Sequence, residues 1–198
     1  SLEAFYDLRG WAPPIIASPC ELMAAGFNYT DILPHLLADA GTSYDLPGVC
    51  SEYYDYYMNR ATTKSGCIAL TVTGELEPLA AIVKEIETKY PGKTYDRASL
   101  QTYEGLDEHV FYDLQGYIEA ICDEKDPLLD KFRAQMGKAF PTESRLHTPS
   151  FYSVYGLGDA PNGMHTIEDG KYSGVTTSAP CERFAPEWGQ TAWYRATH

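Results

Sequence analysis

The sequence lacks a long apolar run and is poor in positive charge. No stretch approaches the roughly 18 consecutive apolar residues that a membrane-spanning helix needs, so no membrane span is expected. Only 15 Lys and Arg residues stand against 28 Asp and Glu residues, which gives a net charge of −13. Such a field repels phosphate backbones, so it argues against nucleic-acid binding and favours a basic substrate or a cation.

Several common functional motifs are also missing. The cysteines are widely spaced, odd in number and without a CxxC pair, which argues against a disulfide framework and a zinc site. There is no GxGxxG, phosphate loop or nucleophile elbow. The chain begins without Met or a signal-peptide pattern, so we expect processing or truncation, and targeting residues do not reveal the location. The thiols expected to be mostly free and half-buried are Cys20, Cys50, Cys67, Cys122 and Cys181.

The sequence does have enough apolar material for a core, since 44% of its 198 residues are hydrophobic and 16 are Tyr. Over residues 65–92, a buried strand followed by an amphipathic helix forms half of a βαβ unit, with Thr73 as the predicted helix cap. The first half therefore predicts an α/β fold with a mostly parallel sheet. Its predicted elements are a helix over 1–9, a strand at 15–17, helices over 30–39 and 47–60, a strand over 67–72 and a helix over 73–90.

The pattern changes after residue 92. Two helices are predicted over 110–122 and 128–140, separated by the charged segment DEKDP, and short strands and turns follow over 150–179. We therefore predict two units: an α/β unit over 1–92, and a mainly helical subdomain with a β-hairpin over 93–198.

No complete catalytic set is apparent within the chain. Cys20 is the only cysteine at the carboxyl end of a predicted strand, and no His lies close to it in sequence. Cys67 opens its strand, and Cys122 closes a helix, where the dipole raises the pKa of a thiol. The histidines have no i+4 His partner for a metal, and the acidic segments GLDE, CDEKD and IEDG lack the EF-hand pattern. No cofactor is expected with certainty; calcium is possible.

The order of several short stretches carries a family resemblance that spans essentially the whole chain. They are EAFYDL, IIASPCE followed by GFNY, ILPHLL, VCSEYYDYY, SGCIALTVTGELEPLA, FYDLQGYIEAIC, YSGVTTSAP and TAWYRA. In this order they resemble the C-terminal half of clostripain-family cysteine endopeptidases, which are caspase- and gingipain-like enzymes. The resemblance implies a caspase-like sheet flanked by helices, part of it in this chain.

The resemblance also implies that the catalytic residues precede Ser1. In the family a strand ends in Asp-Ala-Cys just before a helix like that at Ser1–Ala4, and the catalytic His lies further upstream. This chain would then be the C-terminal part or heavy chain, inactive alone, whose partner is an N-terminal light chain or upstream segment. Self-processing in the family usually cuts before the Cys. A secreted, periplasmic or cell-surface location in a gut bacterium is implied.

The loop after the strand IIA is the predicted substrate-binding segment. The resemblance places this strand parallel to the one bearing the catalytic Cys, so the loop would border the specificity pocket for a basic Arg or Lys side chain of a peptide substrate. Glu21 is the only carboxylate that the loop offers before Asp31. The alternative is a plain strand exit with a buried thiol. The predicted substrate-binding residues are Ala17, Ser18, Cys20, Glu21 and Met23.

A second function stays open from the residues. The many tyrosines, together with Trp188 and Trp193, could stack on a carbohydrate or a peptide in a non-catalytic binding module or an inactive peptidase relative. An Asp-Ala-Cys just upstream of Ser1 would favour the peptidase.

Overall fold

A three-stranded antiparallel sheet lies at the centre of the protein, in a computed structural model that describes residues 1–37, 44–155 and 161–198. The strands are β1 (Pro14–Ala17), β2 (Cys67–Val72) and β4 (Arg145–His147), in the order β1-β2-β4. β2 is in the middle and almost wholly buried.

Both strand pairs of this sheet are antiparallel, with Ala17 opposite Ala69 and Cys67 opposite His147. The prediction of parallel pairing is therefore wrong for the described strands. It rested on half of a βαβ unit, and that unit does not determine the direction of a strand 50 residues earlier. No described strand pairs with the outer edge of β1, so a parallel neighbour supplied by residues before Ser1 stays a prediction.

Helices surround the sheet, and two two-stranded ribbons complete the fold. β3 (Tyr112–Asp113) pairs with β7 (Thr176–Thr177), and β5 (Ser150–Tyr152) forms a hairpin with β6 (Met164–Thr166). No helix in the described ranges is long and apolar enough to cross a membrane. The helices are α1 (Leu2–Leu8), α2 (Tyr29–Leu36), α3 (Leu46–Asp55), α4 (Leu76–Lys89), α5 (Leu114–Ile121), α6 (Pro127–Ala139), α7 (Ala185–Trp188) and α8 (Ala192–Thr197).

The larger apolar core is built around α4. Its residues Leu76, Leu79, Val83 and Ile86 recur at helical spacing and are all buried, as the sequence predicts. They pack in one cluster with residues of α1, α5, α6 and α8, among them Trp193. Helices from both sides of residue 92 therefore share this core, and the division into units 1–92 and 93–198 stays a prediction.

A second core lies on the other side of β2. The tyrosines Tyr53 and Tyr57 are each 1% exposed and pack with Ile68 and Leu70 of the strand. They belong to the core rather than to a binding surface.

The starts of two helices differ from their predicted positions, because the residues before them bind other parts of the chain. Thr73 does not cap α4: its hydroxyl donates to the carbonyls of Ala12 and Pro13, at 2.7 and 2.5 Å, and so ties β2 to the entry of β1. The helix predicted from residue 110 begins at Leu114, because the preceding two residues pair with β7. The predicted helix end at 39 and residues 156–160 of the strand-and-turn segment lie outside the described residues.

Candidate functional site

The loop that follows β1 is held in place mainly by side chains. Ser18 Oγ accepts a hydrogen bond from the Cys20 amide at 3.2 Å and lies 3.3 Å from Cys20 Sγ. Met23 packs against the second core, and its carbonyl accepts from Gly26 N at 2.8 Å. Gly26 adopts a φ of 62°, which favours glycine, and this turn leads the chain into α2.

Hydrogen bonds of Glu21 connect this loop to the β5–β6 hairpin. Its carboxylate accepts a hydrogen bond from Ser153 Oγ at 2.6 Å and from Val154 N at 3.1 Å. Sequence reasoning proposed Glu21 as an acid for a substrate cation. In the structure its oxygens accept from these two neutral donors, 132 and 133 residues away along the chain, and contact with a substrate cation stays a prediction.

Ser153 connects the loop to a third segment. It is fully buried, and its Oγ also accepts from Gly105 N at 3.1 Å and from Tyr155 N at 3.2 Å. Gly105 is required there, because an added Cβ would lie 2.2 Å from the Tyr155 carbonyl oxygen. The candidate site is thus the loop over 18–23, which hydrogen bonds hold against the hairpin. It follows β1, whose outer edge pairs with no described strand.

Cys20 lies next to a second thiol. It is half-buried and packs against a cluster that contains Cys67, which is fully buried at the start of β2. The neighbouring Cys67 thiol is the main cause that lowers the pKa of Cys20, and Cys20 together with burial raises the pKa of Cys67. Of the predicted site residues, Cys20 therefore packs against the cluster of Cys67, a thiol that sequence reasoning had excluded as a nucleophile.

Glu104 is an organising residue that sequence reasoning missed. It is 4% exposed, and its carboxylate accepts from His109 Nδ1 and Val110 N, both at 2.8 Å, and from Leu106 N and Phe111 N, both at 3.0 Å. These bonds fold residues 104–111 into a compact loop. A glutamate among exposed acids carries no local signal for this role.

The two tryptophans that favoured a binding module, Trp188 and Trp193, are not fully exposed. Trp193 is 2% exposed, so the proposal of a stacking role is wrong for it. Trp188 is half-buried, and its indole N–H donates to the buried Glu3 at 3.0 Å. Within residues 1–37, 44–155 and 161–198, no three His, Cys, Asp or Glu side chains converge to hold a metal ion.

Solved structures are similar to the chain over its full length, whereas neither the models of protein families nor the curated proteins yielded a match. One is a clostripain from Bacteroides thetaiotaomicron in complex with the peptide inhibitor BTN-VLTK-AOMK. It is 32% identical, with a TM-score of 0.85, and the chain covers 82% of it. A secreted cysteine protease from the same organism is also 32% identical, with a TM-score of 0.86, and the chain covers 52% of it.

A third similar structure is an inactive protease zymogen from Parabacteroides distasonis, at 25% identity and a TM-score of 0.81. The chain spans 55% of its length, so it corresponds to about half of this protein and of the secreted protease. These similarities confirm the α/β, caspase-like fold class, with a helical part, short strands and a hairpin in the second half. The chain belongs to the clostripain family of cysteine proteases.

Proposed function

We propose that this chain is the C-terminal part of a clostripain-like cysteine endopeptidase that cleaves after Arg or Lys. The catalytic Cys and His lie before Ser1, so the chain is inactive without the upstream segment or light chain. The observation that carries the proposal is the match over the whole chain to a clostripain at 32% identity.

In the proposed reaction, the thiolate of the upstream Cys attacks the scissile carbonyl while the upstream His transfers protons. Backbone N–H groups beside that Cys stabilise the oxyanion. The described chain positions the substrate: free backbone groups near Ala17 and Ser18, at the end of β1, pair with the extended peptide, and the loop with Cys20, Glu21 and Met23 forms a wall of the specificity pocket.

Two observations support the basic preference. The net charge of −13 attracts cations, and the peptide of the inhibitor bound by the similar clostripain, VLTK, ends on lysine. Because Ser153 and Val154 already bind Glu21, we assign Glu21 the positioning of the pocket wall rather than direct pairing with the substrate cation. Secretion is proposed from the similar protease described as secreted, and activation by processing from the inactive zymogen.

The experiment is hydrolysis of reporter peptides by the full-length protein. Peptides that end on Lys or Arg before the reporter group should be cleaved, and the same peptides ending on Ala or Asp should not. Replacement of the cysteine just before Ser1 by Ala should abolish cleavage. An unchanged rate in that variant, or equal cleavage of all four peptides, would contradict the proposal.

A further inference from the structure

Two cysteines come together beneath the loop that follows β1. The last strand pair is Ala17 opposite Ala69, and two further steps in this register would place residue 19 opposite residue 67. Cys20 is therefore one residue beyond the position opposite Cys67, and it packs against the cluster that contains Cys67.

The two thiols differ in accessibility and in electrostatic environment. Cys20 is half-buried at the edge of an irregular loop, whereas Cys67 is fully buried in a central strand. The neighbouring Cys67 thiol lowers the pKa of Cys20, and the Ser18 hydroxyl lies 3.3 Å from the same sulfur. An accessible, activated thiol next to a buried one is the arrangement of an attacking and a resolving cysteine.

We propose that Cys20 and Cys67 form a redox-active thiol pair, which closes to an intramolecular disulfide by exchange with a small-molecule disulfide and displaces the loop over 18–23. The displacement of a substrate-binding wall rests on the proposed function; the exchange itself does not. Neither cysteine takes part in the proposed catalytic step.

The exchange proceeds in two balanced steps. The Cys20 thiolate attacks one sulfur of the reagent and forms a mixed disulfide, and the other half of the reagent leaves as a thiolate that takes up the proton lost by Cys20. Cys67 then loses its proton and attacks Cys20 Sγ, displacing the second thiolate, which takes up that proton. Two protein thiols are oxidised to one disulfide, and the reagent is reduced to two thiols.

Closure of the disulfide changes the loop because one contact depends on the free thiol of Cys20. The contact between Ser18 Oγ and Cys20 Sγ weakens, since a disulfide sulfur is a poorer acceptor than a thiolate, and Cys20 moves towards β2 to reach disulfide geometry. Glu21, the next residue, is fastened to Ser153 on the opposite side. The loop must therefore shift between these two attachments.

The test is incubation of the full-length protein with oxidised glutathione, followed by alkylation of free thiols, digestion and mass spectrometry. We expect a peptide cross-linked through Cys20 and Cys67, reversible by dithiothreitol. In the Cys67→Ala variant we expect a stable mixed disulfide on Cys20 instead. A Cys50→Ala variant, which removes another fully buried thiol, should form the cross-link like the wild type. Both thiols remaining free to alkylate, or a mixed disulfide accumulating in the wild type, would overturn the proposal.

The consequence for the loop is measured by separating KM from kcat. Oxidation of the expected catalytic Cys removes active molecules and lowers kcat, whereas displacement of the loop raises KM for a Lys reporter. We expect KM to rise at least threefold in the oxidised wild type and to return to its original value after reduction with dithiothreitol. Equal KM values before and after cross-linking would overturn the displacement. If the reduced protein cleaves no basic reporter, the proposed function fails while the cross-link result still decides the redox pair.

Discussion

The bond between Glu21 and Ser153 allows a direct test of what the loop after β1 does. Sequence reasoning treats Glu21 as an acid for the substrate cation, whereas the structure shows it fastening the loop to the hairpin. The two roles predict different effects for the same substitutions. We therefore compare Glu21→Gln with Ser153→Ala, which breaks the attachment without removing the negative charge.

The magnitude follows from the donors that lose a partner. In Glu21→Ala the buried hydroxyl of Ser153 loses its 2.6 Å acceptor, whereas Val154 is exposed and its amide can bind water. One unsatisfied buried donor costs about 1–3 kcal/mol, so we expect the free energy of unfolding to fall by about 2 kcal/mol. Glu21→Gln keeps one acceptor oxygen and should cost about half as much.

The functional effect should be a moderate rise in KM. Release of the loop by either Glu21→Gln or Ser153→Ala should raise KM for a Lys reporter about fivefold, the equivalent of roughly 1 kcal/mol, with kcat nearly unchanged. Because the two side chains form one bond, the double variant should fall short of additivity by about 1 kcal/mol. Glu85→Gln removes the same charge at an exposed position of α4 and serves as the control for net charge.

The reasoning would be refuted by a specific pattern of rates. If Glu21 binds the substrate cation directly, Glu21→Gln should lower kcat/KM for Lys and Arg reporters by more than about 30-fold, since breaking a buried charge pair costs more than 2 kcal/mol. Ser153→Ala would then have little effect. That result, together with additive free energies in the double variant, would return Glu21 to the role of the pocket acid.

Three further predictions test the core and the ionisable groups. The amide of Leu128, and then Lys89 and Tyr90, lower the pKa of Asp126; wild type should therefore be more stable than Asp126→Asn above about pH 4, and this advantage should disappear as the pH falls further. Thermal melts at several pH values measure this difference. Trp193→Ala should lower the free energy of unfolding by about 3–5 kcal/mol in urea titrations, because the indole is buried between α8, α1 and α4. Burial raises the pKa of Cys50 to about 12, so iodoacetamide at pH 8.5 should label it in the unfolded protein but not in the native one.

Each of these predictions has a result that would contradict it. A stability difference for Asp126→Asn that stays constant down to pH 2 would show that folding does not lower the pKa of this carboxylate. A loss below about 1 kcal/mol for Trp193→Ala, with Trp193→Phe as the milder control, would show that α8 does not pack into the core. Rapid native labelling of Cys50 would show that α3 is not seated on β2.

Short sequence patterns were enough to predict those strands and helices whose buried residues follow each other closely along the chain. The strand β2 follows from a short β-rich apolar run and the apolar face of α4 from helical spacing, and α6 lies within one residue of its predicted range. The family resemblance supplied the fold class. Both predictions use only short stretches of sequence or the order in which such stretches occur.

Long-range contacts could not be predicted in the same way. The bond from Ser153 to Glu21 joins residues 132 apart, and the hydroxyl of Thr73 donates to carbonyls 60 residues earlier although its position resembles a helix cap. The prediction of parallel strands failed for the same reason. The direction in which β1 pairs depends on the path of the chain between β1 and β2 and not on the residues of β1. Likewise, the packing of Cys20 against the cluster that contains Cys67 joins segments far apart in the sequence.

The central claim is that this chain forms the substrate-binding wall for a catalytic cysteine that precedes Ser1. The most direct measurement is the site of modification when the full-length protein reacts with a peptide that ends on lysine and carries a thiol-reactive ketone. We predict a single adduct on the cysteine just before Ser1, with loss of all hydrolysis of Lys reporters. An adduct on Cys20 instead, or complete loss of activity without an adduct upstream of Ser1, would contradict the account.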